Sequence, residues 1–390
     1  MISRLARKSS IFWVYLVGFL IAFHTALPTY INSSFLSQYI KEDIVGLIYV
    51  AGSILTIILF LIFPKLLKRY GNYKTALFLI ILQSVLLFGL AFIEKAIWII
   101  PLFILNLVCI PLIYCCTDIF LEHLSANKET GLVRGIYLTA VNLAWAASPL
   151  ISSLILSSNS YSKVYLLSFV FLVPVILIIL NDLKENKDYK YPHTDIFATI
   201  KRIWLDINIR NIFLANLALF FFYSWMTIYT PLYLNQNIGL SWSEIGIVFT
   251  VMLLPFVIFQ LPLGRLADKF FGEKEILTLG FLIMAFSTGL ITFINDKNLV
   301  LWAVILFVTR VGACAVEIMC DTYFFKKVDG RDTNLISFYR MSSPVAYITG
   351  PAIATLIISF HLVQLKYLFL ILGILMISGL RFALRLKDTK

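Results

Sequence analysis

Apolar runs of about twenty residues alternate with short polar breaks along this chain, the length an α-helix needs to cross the hydrocarbon of a bilayer. Twelve runs qualify: 11–32, 44–63, 75–93, 97–121, 132–157 and 164–180, then 212–234, 245–263, 276–294, 299–325, 335–360 and 365–384. A bilayer leaves no water for unpaired backbone groups, so such runs are helices. The pattern predicts an all-α polytopic membrane protein with twelve transmembrane helices. Arg4, Arg7 and Lys8 ahead of the first run give it the look of a signal peptide. The run is too long for that and lacks an A-x-A-like exit, so an uncleaved first helix is expected.

Composition sharpens this. The chain is 60% hydrophobic and 14% charged with a mean hydropathy of +0.91, against about 45–50% and about 25% in soluble domains. Soluble, disordered, fibrous and disulfide-rich classes are thereby excluded. Cys109, Cys115, Cys116, Cys314 and Cys320 all lie inside apolar runs without a CxxC pair, so neither a zinc site nor a disulfide framework is indicated. They read as small packing residues. No metal and no cofactor are expected.

The net charge of +11 could suggest a nucleic-acid partner, but its distribution says otherwise. With a cytoplasmic N-terminus, 26 of the 32 Lys and Arg flank the inner ends of the runs, single lysines (Lys41, Lys95, Lys163, Lys297, Lys366) occupy the outer loops, and Arg310 lies inside a run. This is the positive-inside pattern; both termini are expected in the cytoplasm, with the protein in a plasma (cytoplasmic) membrane. The longest polar stretch, 181–210, opens with Asn181, Asp182, Lys184, Glu185, Asn186, Lys187 and Asp188. An amphipathic helix should follow, capped by Thr194 or Asp195, with Ile196, Phe197, Ile200, Ile203 and Trp204 on one face and Lys201 and Arg202 off it. A plain linker is the alternative.

The chain also repeats itself. Pro28-Thr29-Tyr30-Ile31-Asn32 ends the first run and Pro231-Leu232-Tyr233-Leu234-Asn235 the seventh, 203 positions later. Asp118 and Asp321 are 203 apart, Pro149 and Pro351 202, and Gly71 and Gly272 201. Four colinear matches at offsets of 201 to 203 argue for two homologous six-helix halves in parallel orientation. The expected domains are 1–181, a linker at 182–210, and 211–390.

Between the eighth and ninth runs stands Gly264-Arg265-Leu266-Ala267-Asp268-Lys269-Phe270-Phe271-Gly272-Glu273-Lys274. It resembles the signature loop of the major facilitator superfamily, roughly G-x-L-A-D-R-x-G-R-K, with one extra residue between Lys269 and Gly272. The equivalent loop after the second run keeps Arg69 and Gly71 but has Pro64 for the first glycine and Lys68 for the acid. Ser148-Pro149 in run five is similar to a degraded form of the proline-bearing motif of the family's antiporters, and Gly350-Pro351 stands in run eleven. The resemblance implies a twelve-helix transporter of prokaryotic type, built of two pseudo-symmetric bundles that rock about a midplane cavity. It also implies that Asp268 meets the start of run five, where Gly131 and Arg134 stand, and latches the inner mouth. Independently, Gly264 allows close helix approach, Gly272 a tight turn, and a carboxylate suits a helix N-terminus. Lys68 would face the start of run eleven, where Asp329 and Asp332 could form a reversed charge pair. Pro28, Pro149, Pro231, Gly350 and Pro351 are read as hinge positions.

Ionisable groups inside a bilayer are costly and face the protein interior or a wet cavity. Arg310, Cys314, Glu317 and Asp321 share one helical face of run ten. Glu317 is the expected proton-coupling group, with Arg310 as its tuning partner or an anion anchor. The two are about 10 Å apart along the axis, so a substrate anion, a carboxylate such as Asp118, or water should complete the site. A structural ion pair is the bland alternative, favoured for Asp118 and Asp321. His24 is the rival coupling group. Asn142, Trp145, Asn216, Tyr223, Trp225 and Gln260 are cavity candidates, with interhelical packing as their alternative.

No GxxxxGK[ST] motif occurs, and the arginine–glycine motif of run four in the resembled family is missing. Three classes of function compete. The leading one is a secondary transporter, either a proton-coupled exporter of amphiphilic compounds or, as the alternative, an importer of a polar or anionic nutrient. A membrane transferase would need clustered catalytic residues, yet His24, His123, His193 and His361 are scattered. A receptor that binds without transporting is the third. The expected partners are a small-molecule substrate, protons and membrane lipid, with no nucleic acid, for a monomer that is not an enzyme.

Overall fold

The computed structural model describes residues 2–29, 31–36, 38–40, 42–124, 130–156, 161–183, 196–328, 332–359 and 364–387. Every regular element among them is a helix: α1 (Ile2–Thr29), α2 (Asn32–Leu36), α3 (Glu42–Phe92), α4 (Ala96–Leu124), α5 (Thr130–Leu156), α6 (Tyr161–Asp182), α7 (Ile196–Leu205), α8 (Ile207–Leu232), α9 (Trp242–Ile258), α10 (Gln260–Leu266), α11 (Glu273–Ile291), α12 (Leu299–Lys327), α13 (Thr333–Arg340), α14 (Ser342–Ser359) and α15 (Tyr367–Leu384). Two π-helical turns, Tyr233–Asn237 and Ala267–Phe271, follow α8 and α10.

Ten of these segments are long and apolar enough to span a membrane, and twelve spans are recovered once two local features are recognised. The helix α3 holds the second and third predicted spans, separated at Gly71 by a backbone with φ 80° and ψ 165°. Its counterpart Gly272, with φ 81° and ψ 179°, separates the eighth and ninth spans. A positive φ is open to glycine at little cost, so the repeat seen in the sequence is also a repeat of backbone geometry. The eleventh span is divided into α13 and α14 at Met341. Pro344 explains the break, because its ring clashes with the carbonyl four residues back, that of Arg340. Pro262 acts likewise on the carbonyl of Ile258, and there the eighth span divides into α9 and α10.

Two compact units can be distinguished. The first holds Met1–Ala126, Ala140–Thr199 and Val328–Met341; the second holds Asn127–Thr139, Ile200–Lys327 and Ser342–Lys390. Each unit therefore includes a short segment from the opposite half of the sequence, and the two segments occupy corresponding places in the repeat. In the first unit α3 packs on α4 and α6, and α1 packs on α6. Ser152 ties α5 to α1 by donating to the Leu27 carbonyl at 2.7 Å. In the second unit α11 packs on α12 and α15 through glycines: a Cβ on Gly312 would lie 2.7 Å from the Gly280 carbonyl oxygen, and one on Gly373 2.7 Å from that of Ala285. Small residues at such crossings let backbones approach where lipid gives no hydrophobic drive for association. Large apolar side chains such as Phe78, Phe286, Phe293 and Val300 remain exposed, as befits faces turned to lipid.

The amphipathic segment forms α7, with Ile203 buried and Lys201 and Arg202 exposed. Trp204 is exposed rather than buried with Ile203. Its expected caps Thr194 and Asp195, the polar run 184–188, and Tyr30, His193 and His361 lie outside the described residues. Asp206 separates α7 from α8 by capping the latter, accepting from the Asn208 and Ile209 amides.

Candidate functional site

Glu317 lies half-buried on α12 in the second unit. Two neutral donors converge on its Oε2: Gln260 Nε2 at 3.1 Å and the Tyr223 hydroxyl at 3.4 Å. Gln260 is fully buried and opens α10 immediately after the Phe259 break, so Pro262 indirectly sets this donor. Two turns away on the same helix, Arg310 is 4% exposed, its guanidinium carbon 5.1 Å from the Phe222 ring centre and 5.5 Å from that of Tyr223. Phe256 extends the aromatic wall, 6.3 Å from Tyr223. A cation over aromatic faces is held without surrendering its charge. Tyr223 thus stands beside both charges, one at its ring and one at its hydroxyl. The resulting group pairs an acid with an embedded cation in an apolar surround, an arrangement able to exchange a proton and to receive an anionic group.

A second cluster of the same unit forms at the start of α5. Asp268 accepts a hydrogen bond from the Leu132 amide at 2.9 Å, in the first turn, where unpaired N–H groups and the helix dipole favour a carboxylate. The approach is close: a Cβ on Gly131 would lie 2.6 Å from both Asp268 oxygens, and one on Gly264 would collide with the Gly131 carbonyl oxygen. The extra residue of the signature loop is absorbed as the π-helical turn Ala267–Phe271, closed by the Gly272 amide on the Ala267 carbonyl at 3.2 Å. Single insertions into a helix typically appear in this form. Lys326 binds both Asp268 at 2.9 Å and the fully buried Glu273 at 2.7 Å. Arg134 stacks 3.4 Å from the Phe325 ring and reaches Asp321 at 4.0 Å. Lys269 and Arg265 are exposed.

In the first unit, buried Asp118 binds Arg340 of α13 at 2.6 Å. Arg340 thus engages the carboxylate of a residue named among the candidate coupling groups. The repeat is preserved at the level of contacts, since Asp118 and Asp321 each meet an arginine on the segment exchanged into their unit. Lys68 and Arg69 are exposed, Arg69 lies over Tyr70, and Asp329 falls outside the described residues. Removing a partner from a buried ion pair strands a charge, so Arg340→Ala should cost about 3 kcal/mol, in the range for such losses. Reversing the pair as Asp118→Arg with Arg340→Asp should recover part of it. Chemical denaturation in mixed micelles reads both.

His24 is fully buried beside Gln83, whose Nε2 lies 3.4 Å from His24 Nε2 and donates to Asn106 at 2.7 Å. These three join α1, α3 and α4 inside the first unit. Asn142 and Trp145 are half-buried on α5. Asn216 and Trp225 are buried ties between α8 and α14: Asn216 donates to Ser342 at 2.7 Å and Trp225 to the Gly350 carbonyl at 2.8 Å. A Cβ on Gly350 would press on Trp225 at 3.2 Å, so this glycine serves close approach of the helices. Pro28, Pro149, Pro231 and Pro351 all lie inside helices. The five cysteines are free and buried, and no group that could hold a metal ion occurs among the described residues.

The Major Facilitator Superfamily family model matches the chain twice, over residues 14–244 and 212–390. The chain belongs to the major facilitator superfamily. It is an integral multi-pass membrane protein and a secondary transporter rather than an enzyme. Two solved structures share the fold over nearly their whole lengths. The human organic anion transporter MFSD10 (TETRAN) superposes with a TM-score of 0.80 at 13% identity, covering 97% of this chain and 99% of that one. The E. coli fucose:proton symporter FucP gives 0.76 at 16% identity, covering 98% and 100%. No curated protein sequence matches the chain.

Arg340, Lys326 and Glu273 escaped the sequence reading. Arg340 and Lys326 were counted only as topology charges at helix ends. The signal for Arg340 was its place inside a predicted span, and for Glu273 its place directly after Gly272, where the family signature has a base.

Proposed function

We propose that this transporter is a proton-coupled exporter of amphiphilic organic compounds, including anionic ones, with Glu317 as the proton-carrying group and Arg310 as the anion anchor. The Glu317 cluster carries the reading: a half-buried carboxylate bonded by Tyr223 and Gln260, with Arg310 held on the same aromatic wall. An ionisable group in a bilayer is functional by default, and neutral donors can serve either protonation state of a carboxyl. Phe222, Tyr223 and Phe256 offer apolar area to an amphiphile. Export is favoured by the likeness of the Ser148-Pro149 segment to the antiporter motif. Arg310 also favours a second reading, uptake of an anionic nutrient by symport, and FucP is a proton symporter.

In the proposed cycle, the halves 1–181 and 211–390 move as bodies joined by 182–210, in a plasma membrane with both termini cytoplasmic, as a monomer in contact with lipid. The contacts Asp268–Leu132, Asp321–Arg134 and Asp118–Arg340 hold the exchanged segments when the basic end is closed and release them when it opens. The deciding experiment follows pH and substrate flux in proteoliposomes with a panel of anionic, cationic and neutral amphiphiles. Protons moving against substrate support export, and protons moving with it support uptake. Arg310→Gln should weaken transport of anionic compounds about tenfold, the scale of losing one charged hydrogen bond, and leave cationic ones unchanged. An equal loss for all classes removes the anchor role.

A further inference from the structure

The proton site and the contact at the start of α5 are joined by one short element. α10 runs from Gln260 to Leu266 and continues into the π-turn that carries Asp268. Gln260, Gly264 and Asp268 recur at intervals of four, so they share one side. All three are engaged. Gln260 donates to Glu317, Gly264 lies against the Gly131 carbonyl, and Asp268 accepts the Leu132 amide. Gly135 seals the same seam, since a Cβ there would lie 3.1 Å from Leu261 Cα and 3.2 Å from the Gln260 carbonyl oxygen. The element is about 12 Å long at 1.5 Å per residue, and Phe259 links it to α9, donating to the Pro255 carbonyl at 2.8 Å and accepting from the Leu263 amide at 2.9 Å.

The chemistry of Gln260 fits a sensor. An ionised carboxylate only accepts hydrogen bonds, and Gln260 meets it with its amide N–H. Its carbonyl Oε1, in a fully buried side chain, has no hydrogen-bond partner among the described residues. A protonated Glu317 would carry an O–H that needs an acceptor, and rotation of the amide would supply Oε1. Gln260 can therefore bind both states, but the charge-assisted bond to the anion is the stronger.

We propose that α10 is a strut coupling the protonation state of Glu317 to the Asp268–Leu132 contact, with Gln260 as the positioning residue at its sensing end. The inference rests on Glu317 being the coupling group. Ionised Glu317 holds Gln260 and keeps Asp268 seated on α5; protonation weakens that hold and releases it. Other groups facing Glu317 include Tyr223 on α8 and, on its own helix, Cys314 and Cys320, with Arg310 on the far side of Tyr223. The acids of the other packed helices stand at their starts, Glu244 of α9 in a capping box, Glu273 of α11 on Lys326 and Glu275 of α11 exposed.

Because the far end of the strut binds a backbone amide, hydrogen–deuterium exchange reads it directly. Exchange of residues 130–136, corrected for intrinsic rate, is compared in wild type, Glu317→Gln, Gln260→Met and the double variant, with Gln260→Asn standing in if the methionine variant does not fold. Glu317→Gln, a neutral mimic, should speed exchange about three- to tenfold, the difference between a charged and a neutral hydrogen bond. In the Gln260→Met background the same change should do nothing further. Equal acceleration in both backgrounds, or none in either, overturns the strut. Proton flux in Glu317→Gln separates the two ideas: flux lost with exchange unaltered retires the strut alone, whereas flux retained retires Glu317 as coupling group and the strut with it.

Discussion

Glu317→Gln should abolish substrate-evoked proton movement in proteoliposomes, a loss of two orders of magnitude or more, on the order of what a dedicated acid–base group contributes. Glutamine keeps an acceptor for the Tyr223 hydroxyl and the Gln260 amide, bonds of 3.4 and 3.1 Å in the native site. The variant should therefore fold, bind substrate and exchange it across the membrane without net protons. Glu317→Asp should fall between, because a side chain shorter by one methylene cannot hold both donors at those lengths. A pH-sensitive dye in the lumen and counterflow of labelled substrate separate the two activities. Undiminished proton movement in the glutamine variant would transfer the role to His24 or Asp118, both buried ionisable candidates.

Gly264→Ala should cut transport by about tenfold or more while leaving the protein folded. The added Cβ meets the Gly131 carbonyl oxygen, a backbone atom that cannot rotate away. Overpacking of this kind costs about 1–3 kcal/mol. That cost is incurred only while the seam between α10 and α5 is closed, so the closed arrangement is the one disfavoured. Gly131→Ala should act similarly, its Cβ 2.6 Å from the Asp268 oxygens, and the double variant should be less damaging than the two effects summed, since either change opens the same seam. Transport rate and exchange protection of residues 130–136 give the reading. A Gly264→Ala rate within twofold of wild type would show that the seam need not close.

Much of the fold was legible because its signals are long. An apolar run of twenty residues, a one-sided distribution of lysines and arginines, and repeats at a common offset survive local irregularities. Gly71 and Gly272 were visible for the same reason, being paired across the repeat. The breaks within the eighth and eleventh spans were missed although Pro262 and Pro344 announce them, because hydropathy runs through a proline without interruption. The Glu317 cluster was partly legible: Arg310, Glu317, Tyr223 and Gln260 stood out as polar groups at membrane depth, but their pairing depends on where α8 and α10 bring side chains to α12. Asn216 and Trp225 look alike in sequence to cavity residues, and only the contacts with Ser342 and Gly350 reveal them as ties between helices. Arg340 was hidden by its location, since a base near a helix end reads as topology until a buried acid is found against it.

The seat of Asp268 has a consequence for how this transporter varies over evolutionary time. Its acceptor finds a peptide N–H, which Leu132 supplies whatever side chain stands at that position. Position 132 offers no side chain to change in step with the acid, so a search for correlated substitutions between Asp268 and position 132 should come up empty, whereas Lys326, a side-chain partner of the same acid, is free to covary with it. The constraint falls instead on the absence of side chains at positions 131 and 264, where any carbon added to the backbone occupies space the contact already uses. The ion pair between Asp118 and Arg340 is the opposite case: both members are side chains, and drift in one can be answered by drift in the other. Two contacts that each hold an exchanged segment are thus expected to leave quite different marks in a family of sequences.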